Sequence, residues 1–215
     1  MPVQAMLRLS LSLRNYIDRI GKFGSLFILP LVAVTIWDVV VRKIKIFGFS
    51  IQMWLIENLG SAFESTKIQE LEWHFHTALF TLVLGYCFVN NRHVRVDLVR
   101  ENLSFRKQAW IEFLGCTFFL IPYCLIVGYF AFDYAYSAFL VGEISPSTVG
   151  LHYRWIIKFV LVIGLFIAAA SGFAVWLQAG LVLFGPKELR FELMTLDCPE
   201  VQEARGGKTR RTEGV

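Results

Sequence analysis

The sequence predicts an all-α integral membrane protein with four transmembrane helices, interfacial amphipathic helices beside them, and both termini in the cytoplasm. Three observations predict it. Of 215 residues, 56% are hydrophobic and 18% charged, with a mean hydropathy of +0.56, whereas a soluble domain carries about 25% charge. Four apolar runs, at about 23–41, 73–89, 110–140 and 155–184, approach or exceed the roughly 20 residues a helix needs to cross hydrocarbon. Lys and Arg fall unevenly between the loops, fifteen on one side and six on the other. The richer side is cytoplasmic by the positive-inside rule, and an even number of crossings leaves both termini there. The formal charge of +4 therefore reports orientation, not nucleic-acid binding.

Residues 1–22 precede the first run as a cytoplasmic segment holding Arg8, Arg14, Arg19 and Lys22. The run itself continues into Val39-Val40-Val41-Arg42-Lys43 with no small-residue cleavage site, so it is a retained span, not a signal peptide. Asp38 must be included for it to reach spanning length, and Arg42 lies one helical turn on, placed to neutralise it as an intramembrane ion pair. The second run likewise needs His74 and His76 at its entry.

The 42–72 connection is too long for a simple loop. Within it Ile51, Leu55, Leu59, Ala62 and Phe63 share one side of a helical wheel, opposite Glu57, Ser61 and Glu64. That spacing predicts an amphipathic helix capped by Ser50, lying at the outer interface, on a partner, or over the protein's own spans. After the second run, Val96, Val99 and Leu103 form a stripe among Arg92, Arg95, Arg100 and Glu101, a second amphipathic stretch on the cytoplasmic face.

The third run holds Pro122, which removes a backbone donor and predicts a kink near 118–122. Gly142, Pro146 and Gly150 then make a short, nearly uncharged outer turn before the fourth run. Glu72, Asp133 and Lys158 are available there for pairing. The hydrophilic residues 185–215 predict a flexible cytoplasmic tail. Four Cys without a Cys-x-x-Cys spacing read as small buried apolar side chains and suggest no disulfide.

No phosphate-binding loop, His-Glu-x-x-His or Gly-x-Ser-x-Gly motif occurs, and no soluble segment is long enough for an enzyme site. Nor do inverted halves mark a self-sufficient transporter. The chain is expected to be non-catalytic and free of cofactor or metal. Its runner-up reading is a haem-binding membrane anchor of a redox complex, with His76 and His152 as the outer pair, since bundles can hold haem between two His. Against it, His152 precedes its span, and His93 has no matching His at the inner face.

Gln69-Glu70-Leu71-Glu72-Trp73-His74-Phe75-His76, then Arg92-His93-Val94-Arg95-Val96-Asp97-Leu98, then Ser104-Phe105-Arg106-Lys107-Gln108-Ala109-Trp110 with Gly115 following, resemble the small membrane subunit (Q type, DctQ-like) of tripartite ATP-independent periplasmic (TRAP) transporters. The subgroup most similar is the one for mannitol or chloroaromatic compounds. The resemblance covers about residues 24–180, with Glu143-Ile144-Ser145 and 155–158 extending it. It implies a multi-pass protein of the bacterial inner membrane, with a large multi-span permease subunit and a periplasmic solute-binding receptor as partners. The small subunit then braces the elevator-type permease in sodium-coupled, receptor-dependent uptake of an organic acid or related small solute. In that setting Glu72, Trp73 and His74 are expected to fix the depth of the second span at the outer face. Arg92, His93, Arg95, Asp97 and Arg100 are expected to contact the partner or membrane lipids on the inner one.

Overall fold

The computed structural model describes residues 2–46, 49–93 and 103–186, and helices carry nearly all of them. In chain order these are α1 (Pro2–Ser25), α2 (Ile28–Lys43), a two-residue antiparallel ladder of β1 (Lys45–Ile46) with β2 (Phe49–Ser50), and α3 (Ile51–Leu59). A 3₁₀ turn (Ser61–Phe63) leads into α4 (Ser65–Val89), followed by α5 (Phe105–Gly115), a π-helical turn (Cys116–Leu120), α6 (Ile121–Val141) and α7 (Trp155–Phe184). Residues 94–102 and 187–215, which include Arg95, Asp97, Arg100 and the predicted tail, lie outside the described residues.

Among the described residues three helical stretches are long and apolar enough to cross a membrane: Val3–Lys43, Phe105–Val141 and Trp155–Phe184. α4, with 25 residues, spans about 38 Å. Its polar first half, with Lys67, Glu70, Glu72, His74 and His76, keeps it outside that set.

Three local features differ from the sequence expectation. Residues 2–25 form a helix instead of an unassigned segment, with Ser10, Ile17, Gly21 and Gly24 buried along one face at helical spacing. The predicted helix across 51–63 stops at Leu59, because Gly60 takes φ 98° and starts the 3₁₀ turn. Ser50 occupies its N-cap position without a side-chain hydrogen bond to the helix. The disturbance expected from Pro122 is a π-helical turn at Cys116–Leu120. Proline collides with the carbonyl four residues back, and an inserted residue relieves that collision.

The chain divides into two compact units. In the first, made of Lys22–Val83 and Val127–Leu165, the pairs Gly24, at the end of α1, with Leu82 and Asp38 of α2 with Ser65 run this stretch of the chain antiparallel to α4. Phe139 on Trp155 and Phe132 on Phe159 run α6 antiparallel to α7. Trp73 beside Arg154 and Thr81 beside Gly164 make α4 and α7 parallel. A Cβ added at Gly164 would lie 2.8 Å from the Thr81 carbonyl oxygen. This is the close backbone approach that small residues permit between membrane helices.

The second unit contains α1 up to Gly21, residues 84–126 and α7 from Phe166. Phe105, Ala109, Leu181, Val182 and Leu183 form a buried cluster against which Val3, Met6, Leu7 and Phe113 pack. Cys124, Ala168 and Ala169 form another with Leu84 and Leu120. The Trp176 indole donates to Thr117 Oγ1 at 2.9 Å, satisfying a donor that hydrocarbon would leave unpaired.

Candidate functional site

The densest polar arrangement joins the first turns of α4 to the turn between α6 and α7. α6 ends in a left-handed glycine: Gly142 has φ 62°, its amide bonds the Phe139 carbonyl, and the Glu143 amide reaches back to Ala138 at 2.9 Å. This closure satisfies carbonyls that the helix end leaves free. The Ser147 amide then donates to Ser145 Oγ, and the Ser145 amide to the Leu151 carbonyl at 3.1 Å.

Glu70 clasps this turn from α4. One carboxylate oxygen accepts the Ser145 hydroxyl, and the other accepts the Leu151 amide at 2.6 Å. Gly150 passes between them with no room for a side chain. A Cβ there would overlap Ser145 and lie 2.9 Å from Glu70 Oε1. Burial alone would raise the Glu70 carboxyl pKa and is the largest single influence. The two donors and the positive charges of Arg154 and His74 together outweigh it and hold the carboxyl below its ordinary range.

His74, one turn after Glu70, places Nδ1 2.5 Å from the Glu70 carbonyl oxygen and its ring 4.1 Å from that of Trp73. The Arg154 guanidinium stands over Trp73 at 5.2 Å, a cation–π distance. Lys158 donates to the Glu143 carboxylate, and its ammonium lies 3.6 Å from the Tyr134 ring centroid. Two charged groups, Arg154 just before α7 and Lys158 in its first turn, are thus each matched by an aromatic face.

A smaller cluster sits at the other end of α4's first half. Asp38, buried on α2, accepts from Arg42 at 2.5 Å and from the Ser65 hydroxyl at 2.8 Å. At the C-terminus of α4, Asn91 adopts φ 55° and the Arg92 amide bonds the Cys87 carbonyl at 2.8 Å, an Asn-terminated helix end. The Asn90 side chain donates to the Tyr86 carbonyl and to Asp18 and accepts from Arg14. His93 turns back so that Nε2 lies 3.3 Å from the Leu84 carbonyl, while Arg92 is exposed.

Of the residues singled out in the sequence, Trp73 and His74 join the Glu70 network, and half-buried Glu72 takes no part in it. Lys158 meets Glu143 instead of Glu72 or Asp133, and Asp133 is exposed. His76 is exposed on α4, and His152 lies in the turn beside Tyr153. Among the described residues no group of three or more His, Cys, Asp or Glu is placed to hold a metal ion. In the sequence Gly150 marked only a turn and Glu70 and Ser145 only family motifs, and neither these nor Arg154 drew a site role. The available signal was the Glu70-x-x-x-His74 spacing around Trp73, directly before an apolar run.

Residues 31–179 match the family model described as Tripartite ATP-independent periplasmic transporters, DctQ component. The chain belongs to the DctQ family. Searches of curated proteins and of solved structures returned no match. The DctQ match begins within α2 and ends near the close of α7, so the Glu70 clasp, the Asp38 cluster and the Asn91 helix end all lie inside it, while α1 precedes it. This DctQ chain is accordingly a transporter component and a membrane protein with apolar transmembrane helices.

Proposed function

We propose that this DctQ chain braces the large elevator-type permease subunit of a TRAP system, which takes up an organic acid or related small solute with sodium and a periplasmic receptor. The observation that carries this reading is where its charges go. Glu70 with Leu151, Lys158 with Glu143, and Asp38 with Ser65 each tie one segment of this chain to another. A subunit that moved solute would instead turn such groups toward a pathway, since intramembrane charges mark substrate routes when they are functional. Cross-linking of helix ends by buried and half-buried carboxylates suits a stationary body against which a partner slides.

In this reading α4 is the fourth crossing. It lies parallel to α7 at backbone contact distance and antiparallel to α2, and a helix held that closely along a spanning helix shares its depth. The Trp73 end then faces the periplasm, both termini face the cytoplasm, and the membrane is the bacterial inner one. Glu72, Trp73 and His74 set the depth of α4 at the outer surface. Arg92, His93, Arg95, Asp97 and Arg100 contact the permease or lipid headgroups at the inner surface. Asp38 and Arg42 form an ion pair at the outer end of the first span. The motif set quoted above supports the mannitol or chloroaromatic subgroup.

The test is reconstitution of the large subunit and receptor in vesicles under an inwardly directed sodium gradient, with and without this chain. Receptor-dependent uptake requires it, and Arg95→Ala with Asp97→Ala lowers recovery of the large subunit with it. Uptake at the same rate without the chain removes the bracing role.

A further inference from the structure

The π-helical turn leaves an opening on the surface of the second unit. Between the C-terminal end of α4 and the α5–α6 stretch lies a groove of about 490 Å³, lined by Phe88, Ile111, Glu112, Phe119 and Tyr123 together with Gly115 and buried Cys116. Gly115 is part of the reason it exists, because a Cβ at that position would meet nothing within 4 Å.

Tyr123 is what identifies the occupant. It is 63% exposed and its hydroxyl makes no hydrogen bond among the described residues. It lies midway between Glu112 and Asp133, which bracket the uncharged core of this stretch, about 16 Å from each at a helical rise. A tyrosine at a lipid-facing position belongs in the headgroup layer, where its hydroxyl is wet. At mid-depth the ring cannot snorkel that far, and a hydroxyl in hydrocarbon lacks any partner, costing several kcal/mol in the limit of no hydrogen bonding. An acyl chain would fill the groove but leave that cost in place. A protein helix presents both an apolar knob for the hole and a side-chain or backbone acceptor for the hydroxyl. The aromatic walls agree, since Tyr, Trp and Phe are enriched at protein interfaces. The exposed side of α2, by contrast, is mostly aliphatic, with Leu29, Val32 and Ile36 and the single aromatic Trp37.

We infer that the groove bounded by Gly115, Phe119 and Tyr123 is the docking site for a transmembrane helix of the large permease subunit, with a side chain seated over Gly115 and a polar acceptor at Tyr123. This rests on reading the chain as the bracing subunit of a TRAP system. Gly115→Leu fills the groove without an internal clash and improves helix propensity. In the complete transporter it lowers retention of the large subunit in mild detergent about tenfold, and Tyr123→Phe lowers it about threefold, the range of single contacts between membrane helices. Val32→Leu on α2 leaves retention unchanged. Independently of any effect on folding, p-benzoylphenylalanine in place of Phe119 cross-links to the large subunit on irradiation. Retention by Gly115→Leu equal to wild type, or cross-links from position 119 only to lipid or to a second copy, overturns the assignment while leaving the bracing role intact. A wild-type chain that retains no large subunit at all overturns both.

Discussion

Glu70 shows how much one carboxylate can organise when its partners are distant in sequence. It accepts from Ser145, 75 positions on, and from Leu151, 81 positions on, while Gly150 gives it access. Its carboxyl titrates below the ordinary value of 4.5, so the folded state prefers the ionised form. The stabilisation it gives is complete above about pH 4.5 and is lost as pH falls through the lower folded-state value. Thermal midpoints of the purified chain are expected to hold from neutral pH to about 5 and drop below pH 4.5. Glu70→Gln is less stable at neutral pH by about 1–3 kcal/mol, as for hydrogen bonds to a charged group, and lacks that acid step. An equal acid step in the variant assigns the titration to another group. The sequence drew attention to Glu72 because it adjoins Trp73, but on a helix Glu70 and Glu72 point 200° apart. Only the location of the α6–α7 turn decides which of them meets it.

At the scale of the element, apolar length was the most readable property. Helix α7 runs over Trp155–Phe184 because an apolar run whose one charge, Lys158, sits in its first turn is ended by Gly185-Pro186, which leaves helix no other place to stop. α1 was not readable as a span or a loop, since its buried stripe includes Ser10, Gly21 and Gly24, residues that carry no hydrophobic signal. They are buried because they let another helix approach: a Cβ at Gly24 would lie 2.6 Å from Leu82 Cβ. The parallel contact of α4 with α7 rests on the same principle, and it yields a sharp comparison. Gly164→Leu drives a side chain into the Thr81 backbone and is expected to destabilise the chain by about 1–3 kcal/mol, the usual cost of overpacking. The identical change at Gly115 meets open space. Denaturation midpoints of the two variants should therefore separate, with only Gly164→Leu lowered, and equal midpoints would falsify the close α4–α7 crossing.

For the whole molecule, the uneven placement of Lys and Arg predicts that the Trp73 end of α4 and the α6–α7 turn face outward. A cysteine introduced at Thr148, in the exposed part of that turn, is expected to react with a membrane-impermeant maleimide in intact cells. One introduced at exposed Arg8 on α1 reacts only after the membrane is opened, and the reverse pattern inverts the topology. Membrane residence, the apolar character of three helical stretches and the kinship carried by the motifs around Trp73 and Arg92 were all determined by the sequence alone. These follow from local properties: hydropathy per residue, charge on each side of a run, and short ordered motifs. Which carboxylate clasps the turn, which face of α1 is buried, how α4 lies along α7 and where a groove opens beside Pro122 were decided only by the tertiary structure. Each depends on a backbone approach or a hydrogen bond between residues far apart in the chain, and no periodicity within a single helix encodes the identity of the neighbour it will meet.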